Sequence, residues 1–146
     1  MTQPASRRRY TVTELALALQ LVSTVALIEL QLRLVSLPRL VRWVRGAAIS
    51  WWGRRLPLGR RGVGRARLLQ LAGSAARLSH GSNACLRQSL LRLWLLLGEG
   101  EEAELVIGVR RDAAEPFGAH AWVEHGQLPV NEPAAQLARY AELVRY

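Results

Sequence analysis

The chain of 146 residues has one cysteine, Cys85, which stands where an apolar helical pattern opens, in N-A-C-L-R-Q-S-L-L-R-L-W-L-L-L-G. His120 follows in a β-like run, A-H-A-W-V-E, and Asn131 lies eleven residues further on with Glu132 beside it. A lone thiol with an imidazole and an amide or carboxylate downstream is the set a thiol-nucleophile hydrolase needs. The sulfur attacks, the ring moves the proton and the third group orients the ring. A single cysteine on its own is more often a small buried hydrophobe. Its position changes that weighting. Ser82 or Asn83 can cap a helix that runs to Leu97 and stops at Gly98, which places Cys85 at the second or third helical position. There, unpaired backbone N–H groups and the positive end of the helix dipole favour the thiolate.

The group that orients His120 depends on a turn. Phe117–His125 and Leu128–Asn131 bracket Gly126-Gln127 as a hairpin, with His120, Trp122 and Glu124 on one face. A two-residue turn pairs 125 with 128 and makes Asn131 a diagonal neighbour of His120 on that face. A three-residue loop would bring Glu132 there instead. Asn131 is the preferred third member and Glu132 the alternative. His80, beside a glycine in a loop, and His125, at the hairpin tip, read as solvated.

Several helices must carry this segment. Thr11 or Thr13 can cap a helix with Glu14 in its first turn, and Leu15–Leu37 follows with a stripe of Ala18, Leu21, Val25, Ile28, Leu32 and Val35. Its longest uncharged run, Leu15–Ile28, is fourteen residues. A membrane span needs about 20, so packing on the domain or on a partner is expected, with peripheral membrane contact a minor option. Pro38 ends or kinks that helix, and a second one is expected over Arg39–Trp52. Glycines, a proline and four arginines then mark a connector, which reads as solvated and could also meet an acidic partner. Arg65–Ser79 is helical again. On the cysteine helix, Arg87 and Arg92 are expected to reach solvent. An acidic turn, the strand E-L-V-I-G-V-R, a loop over Arg110–Pro116 and a weak helix over Pro133–Tyr146 complete the chain.

Composition narrows the classes. All twenty basic residues are Arg, against eleven acids, giving a net charge of +9. Such a balance raises nucleic acid as a partner, but the arginine-rich part has no interleaved aromatic platform and no nucleic-acid motif. One cysteine excludes a disulfide framework and a multi-cysteine zinc site. No cofactor is implied. No secretory signal with a small-residue cleavage site is visible, so the cytoplasm is the default compartment.

The strings C-L-R-Q-S-L-L-R-L-W, L-V-I-G-V-R and A-H-A-W-V-E, with N-E after a short turn, resemble the leader peptidase of lasso-peptide biosynthesis. That enzyme is the protease half of the lasso B protein, within the transglutaminase-like cysteine protease superfamily. The match covers about Asn83 to Glu132, and the Arg-rich N-terminal part is similar in character only. The resemblance implies an α+β fold: a papain-like core in which the cysteine helix packs on a small antiparallel sheet, with a helical N-terminal extension. On that reading residues 1–79 form a helical region for partner docking and support, and residues 80–146 the protease core, in one compact unit. It also implies removal of a leader from a ribosomally made precursor peptide. A separate leader-recognition protein would deliver the substrate, and an ATP-dependent cyclase would act on the product. Cys85 matches the family nucleophile and His120 its base. The third position is usually Asp, and Asn131-Glu132 occupies it here; an amide can hold an imidazole, as in Cys-His-Asn sites. Two rival readings remain. One is acyl transfer to an amine on the same fold; the other is a non-catalytic adaptor whose apolar helix and arginines bind a partner or an anionic membrane.

Overall fold

The computed structural model describes residues 11–78, 83–111 and 118–146; His80, Ser82 and most of the Arg110–Pro116 loop fall outside them. Helix α1 spans Val12–Leu34 and opens on a reciprocal cap. The Glu14 N–H donates to Thr11 Oγ1 at 3.2 Å, and the Thr11 N–H donates to Glu14 Oε2 at 3.0 Å. Leu17, Leu21, Val25 and Ile28 form its buried stripe, while Ala18, Leu32 and Val35, expected on that stripe, are half-buried. By length and apolarity α1 could cross a membrane. Its glutamates are engaged by other helices of the domain: Glu14 meets Arg67 Nε at 2.8 Å, and Glu29, besides its i,i+4 partner Arg33, contacts Arg87.

Extended backbone at Val35 and Ser36 ends α1, and α2 spans Leu37–Ile49. Pro38 sits in the first turn of α2 rather than closing α1, a place where its missing N–H costs no helical hydrogen bond. The connector that follows is not simply solvated. Arg60 is buried and donates to the carbonyls of Leu56 at 2.9 Å and Leu95 at 3.3 Å.

Helices α3 (Arg65–Leu78) and α4 (Ala84–Gly98) follow, then strands β1 (Glu104–Arg110), β2 (Ala119–His125), β3 (Leu128–Pro129) and β4 (Tyr140–Arg145). A single short turn, α5, covers Ala134–Leu137. The fold is α+β, with a four-stranded antiparallel sheet in the order β3-β2-β1-β4. The helical expectation for the tail holds only over α5. From Tyr140 the chain pairs along β1, whose free edge offers backbone partners that a short exposed helix does not have.

Helix α4 is enclosed. α1, α2 and α3 pack around it, and β2 and β1 close the remaining side. Leu90, Leu91, Leu93, Leu95 and Leu96 are all buried, and together they point to several sides of the helix. This enclosure overturns the expectation that Arg87 and Arg92 reach solvent. Both are buried, because three helices and the sheet pack on the sides of α4 that carry them, and Arg87 ends against Glu29 of α1.

The sheet has one point of close approach that matters for β2. Gly108 on β1 stands opposite His120, beside a β1–β4 register shift. A Cβ there would come within 2.9 Å of both the Ala141 carbonyl oxygen and the Trp122 indole. Trp122 could swing aside, but the carbonyl belongs to the backbone of β4, so the strands themselves would have to shift. Gly108→Ala is expected to destabilise the domain by about 1–3 kcal/mol, measured by thermal or urea unfolding, and a midpoint equal to wild type would contradict this packing.

Candidate active site

The site is built at the open edge of β2. Gly126 and Gln127 both have positive φ, 56° and 65°, and form a two-residue turn that pairs His125 with Leu128. β3 is only two residues long, and the last bond along this edge is from the Val130 N–H to the Val123 carbonyl, at 2.9 Å. Two residues earlier on β2 the same edge has no strand beside it. There the Ala121 carbonyl accepts from Ser89 Oγ at 2.8 Å, and the Ala121 N–H is directed at the Cys85 sulfur. The first turn of α4 thus satisfies backbone groups that a longer β3 would have taken.

Asn83 is the cap residue of α4, so Cys85 occupies the second helical position, as its sequence context suggested. The half-buried thiol hydrogen-bonds the His120 ring, and the Ala121 and Leu86 N–H groups also approach it. The His120 contact holds the thiol below its ordinary value; burial opposes this, and the two backbone N–H groups add to it. His120 is pushed up to about 9, first by Cys85 and then by Glu132, against the cost of burial. Each partner favours the charged form of the other, so the arrangement stabilises a thiolate–imidazolium pair near neutral pH.

Glu132, not Asn131, reaches His120. Its Oε2 lies 2.6 Å from His120 Nε2, which leaves Nδ1 to face the thiol. The two-residue turn expected to favour Asn131 is present, so turn length is not what decides the matter. Asn131 itself does, by adopting φ +59°, a left-handed conformation that Asn tolerates better than most residues. That kink ends the strand alternation and swings the next residue towards the ring. The Asn131 side chain instead lines a trough with Arg77, Gln88 and Arg92.

Several supporting residues were not singled out from the sequence. Ser89, one turn beyond Cys85, holds the α4–β2 register through Ala121. Trp122 stacks beside His120 at 6.1 Å, and its Nε1–H donates to Glu124 Oε1 at 2.9 Å. Glu124 is in turn gripped by Arg145 at 2.7 Å. Tyr140 of β4 joins the same cluster, 5.2 Å from the His120 ring and 6.4 Å from the Trp122 indole. Arg92 meets Glu132 Oε1 at 3.2 Å. The available signals were the helical spacing of Ser89 and Arg92 from Cys85 and the alternation within A-H-A-W-V-E. His125, expected to be solvated, hydrogen-bonds the Glu102 carbonyl through Nδ1 at 2.6 Å and meets Glu101 through Nε2 at 3.2 Å. Among the described residues no group of three or more metal-ligating side chains occurs.

A family model described as the transglutaminase-like superfamily matches residues 24–145. The chain belongs to the transglutaminase-like superfamily. Comparison with curated proteins and with solved structures returns no match. The superfamily generally contains cysteine-based enzymes of the protease and acyltransferase kind. The matched range starts within α1, so the domain takes in most of the helical region as well as the sheet.

Because Cys85 is the chain's only thiol, its titration can be read without background. Iodoacetamide alkylation followed against pH should show a midpoint below that of a free thiol, about 8.5. In His120→Ala the midpoint should move back up towards that value. An unchanged midpoint in the variant would show that the imidazole does not activate the sulfur.

Proposed function

We propose that this protein is a cysteine peptidase that removes the leader from a ribosomally synthesised precursor of the lasso-peptide class. The observation that carries the reading is the continuous contact from Cys85 through His120 to Glu132, on a chain whose motif strings resemble lasso leader peptidases. In this mechanism the Cys85 thiolate attacks the carbonyl at the leader–core junction. Backbone N–H groups of the first turn of α4, which have no intrahelical acceptors, face the developing oxyanion. The His120 imidazolium protonates the leaving amine, so the core fragment departs with its new amino terminus while the leader stays on Cys85 as the thioester. Neutral His120 then takes a proton from water, which attacks the acyl-enzyme and releases the free carboxylate. Glu132 holds the ring through Nε2 and offsets its charge in both half-reactions.

A separate leader-recognition protein supplies the precursor in this reading. The exposed side of α1 and α2 is the surface we assign to it. Leu27, Ile28, Leu40, Trp43 and Trp94 line an apolar groove there, and Leu19, Leu30 and Leu34 are exposed along α1. The cleaved core would pass to an ATP-dependent cyclase, with all of these steps in the cytoplasm.

Acyl transfer to an amine is the second reading, favoured by the superfamily itself, since the same acyl-enzyme serves both outcomes. One assay separates them. A cognate precursor and recognition partner are incubated with the protein, with and without a primary-amine probe, and the products are weighed by mass spectrometry. A single hydrolytic cut at the leader–core junction is expected, lost in Cys85→Ala with the fold intact. An amide adduct outweighing the hydrolysed product would favour transfer, and cleavage retained in Cys85→Ala would end the thiol mechanism. The rate should rise through the depressed Cys85 ionisation and fall as His120 loses its proton near pH 9.

A further inference from the structure

We infer that Arg92 is a positioning residue for this site: it fixes the Glu132 carboxylate so that one oxygen faces His120. The inference rests on the reading that Cys85 and His120 are the reacting pair. Glu132 spans two partners with its two oxygens, Oε1 to Arg92 Nη1 at 3.2 Å and Oε2 to His120 Nε2 at 2.6 Å. Arg92 approaches from α4, seven residues beyond Cys85, so the nucleophile and the anchor of its third group share one rigid helix. Glu132 comes from irregular chain beyond β3, where no ladder hydrogen bond fixes the backbone of the carboxylate-bearing residue. A glutamate there has three side-chain torsions to lose. A second contact on the far oxygen confines them.

The placement of Arg92 is costly in a way that packing alone does not explain. Its side chain is 7 % exposed, and its Nε has no hydrogen-bond partner among the described residues. Burial drives its pKa down, Glu132 drives it up, and the like charge of Arg77 on α3 adds to the downward push. An apolar residue of similar length would fill the space without these penalties. What it would lack is a charged fork aimed at the carboxylate.

The charged and titratable groups facing this line are Cys85 and Arg92 on α4, Arg77 on α3, Tyr140 on β4 and Glu132 itself. Removing Arg92 therefore has opposite consequences under two accounts. As a nearby positive charge, its loss would leave the imidazolium as stable or more so. As the anchor of Glu132, its loss frees the carboxylate, and the imidazolium loses a partner.

The test is an imidazole-nitrogen NMR titration of the full chain, which needs no substrate; His120 is assigned among the three histidines by its absence in His120→Gln. In wild type the imidazolium should persist to about pH 9. In Arg92→Gln the midpoint should fall by about one unit or more, the size expected for losing an opposite charge. Glu132→Gln added to Arg92→Gln should lower it little further, because both changes break the same contact. Arg92→Lys, which keeps the charge but not the fork, should fall between the two. If Arg92→Gln does not fold, a downward shift in Arg92→Lys supports the proposal and an unmoved midpoint overturns it. A midpoint unchanged or raised in folded Arg92→Gln also overturns it. An ordinary imidazole midpoint in wild type would bring down the active-site reading itself, and this proposal with it.

Discussion

The backbone of Ala121 lies on an edge of β2 that β3 is too short to cover. A buried peptide group in that position must find partners elsewhere, and it finds them on α4: Ser89 takes the carbonyl, and the N–H is directed at the Cys85 sulfur. Those two contacts, one helical turn apart, fix both the height and the rotation of α4 against the sheet. His120 is the neighbour of Ala121, so the same constraint that seats the helix also sets the distance between thiol and imidazole. A longer β3 would give a more regular sheet, but it would occupy the position from which the cysteine reaches the ring.

Around that junction the protein relies on buried guanidinium groups to an unusual degree. Arg60 takes carbonyls from the connector and from the last turn of α4, Arg87 ties α4 to Glu29 of α1, and Arg92 ties it to Glu132. All three are buried beside or on the central helix. Burying a cation is unfavourable unless its charge and donors are met, so such contacts specify one arrangement more than they add net stability. For an enclosed helix that holds the Cys85 thiol against His120, specificity of arrangement is the more useful property. Sliding or rotating α4 would separate Arg87 from Glu29, Arg92 from Glu132 and Arg60 from the Leu95 carbonyl, leaving buried charges without their partners.

The A-H-A-W-V-E string divides its labour by alternation. Ala121 and Val123 point into the core against α4, while His120, Trp122 and Glu124 line the other face. On that face Arg145 holds Glu124, Glu124 holds the Trp122 indole, and Trp122 lies beside His120. Gly108 leaves room for the indole on the neighbouring strand. The His120 imidazole is thereby held by the clustered Trp122 and Tyr140 rings and by hydrogen bonds to Cys85 and Glu132, which together fix its orientation.

The amino-acid sequence by itself determined the helices, the β1 and β2 strands and the position of Cys85 in the first turn of α4. These follow from local rules: periodicity of apolar residues, a break in the helical pattern before the thiol, a glycine where the helix stops, and alternation in the strands. It also singled out Cys85 and His120, which the fold brings into contact, because their types and local settings were both unusual. It could not determine which side chain meets His120. That depended on one backbone conformation, the left-handed turn at Asn131, which reverses the alternation that a register argument assumes. Nor could it place Arg87 and Arg92, whose burial follows from how many elements surround α4, or the final strand, whose backbone partners lie on β1. Each of these outcomes is set by contacts between segments distant in the chain, where tertiary packing overrides local preference.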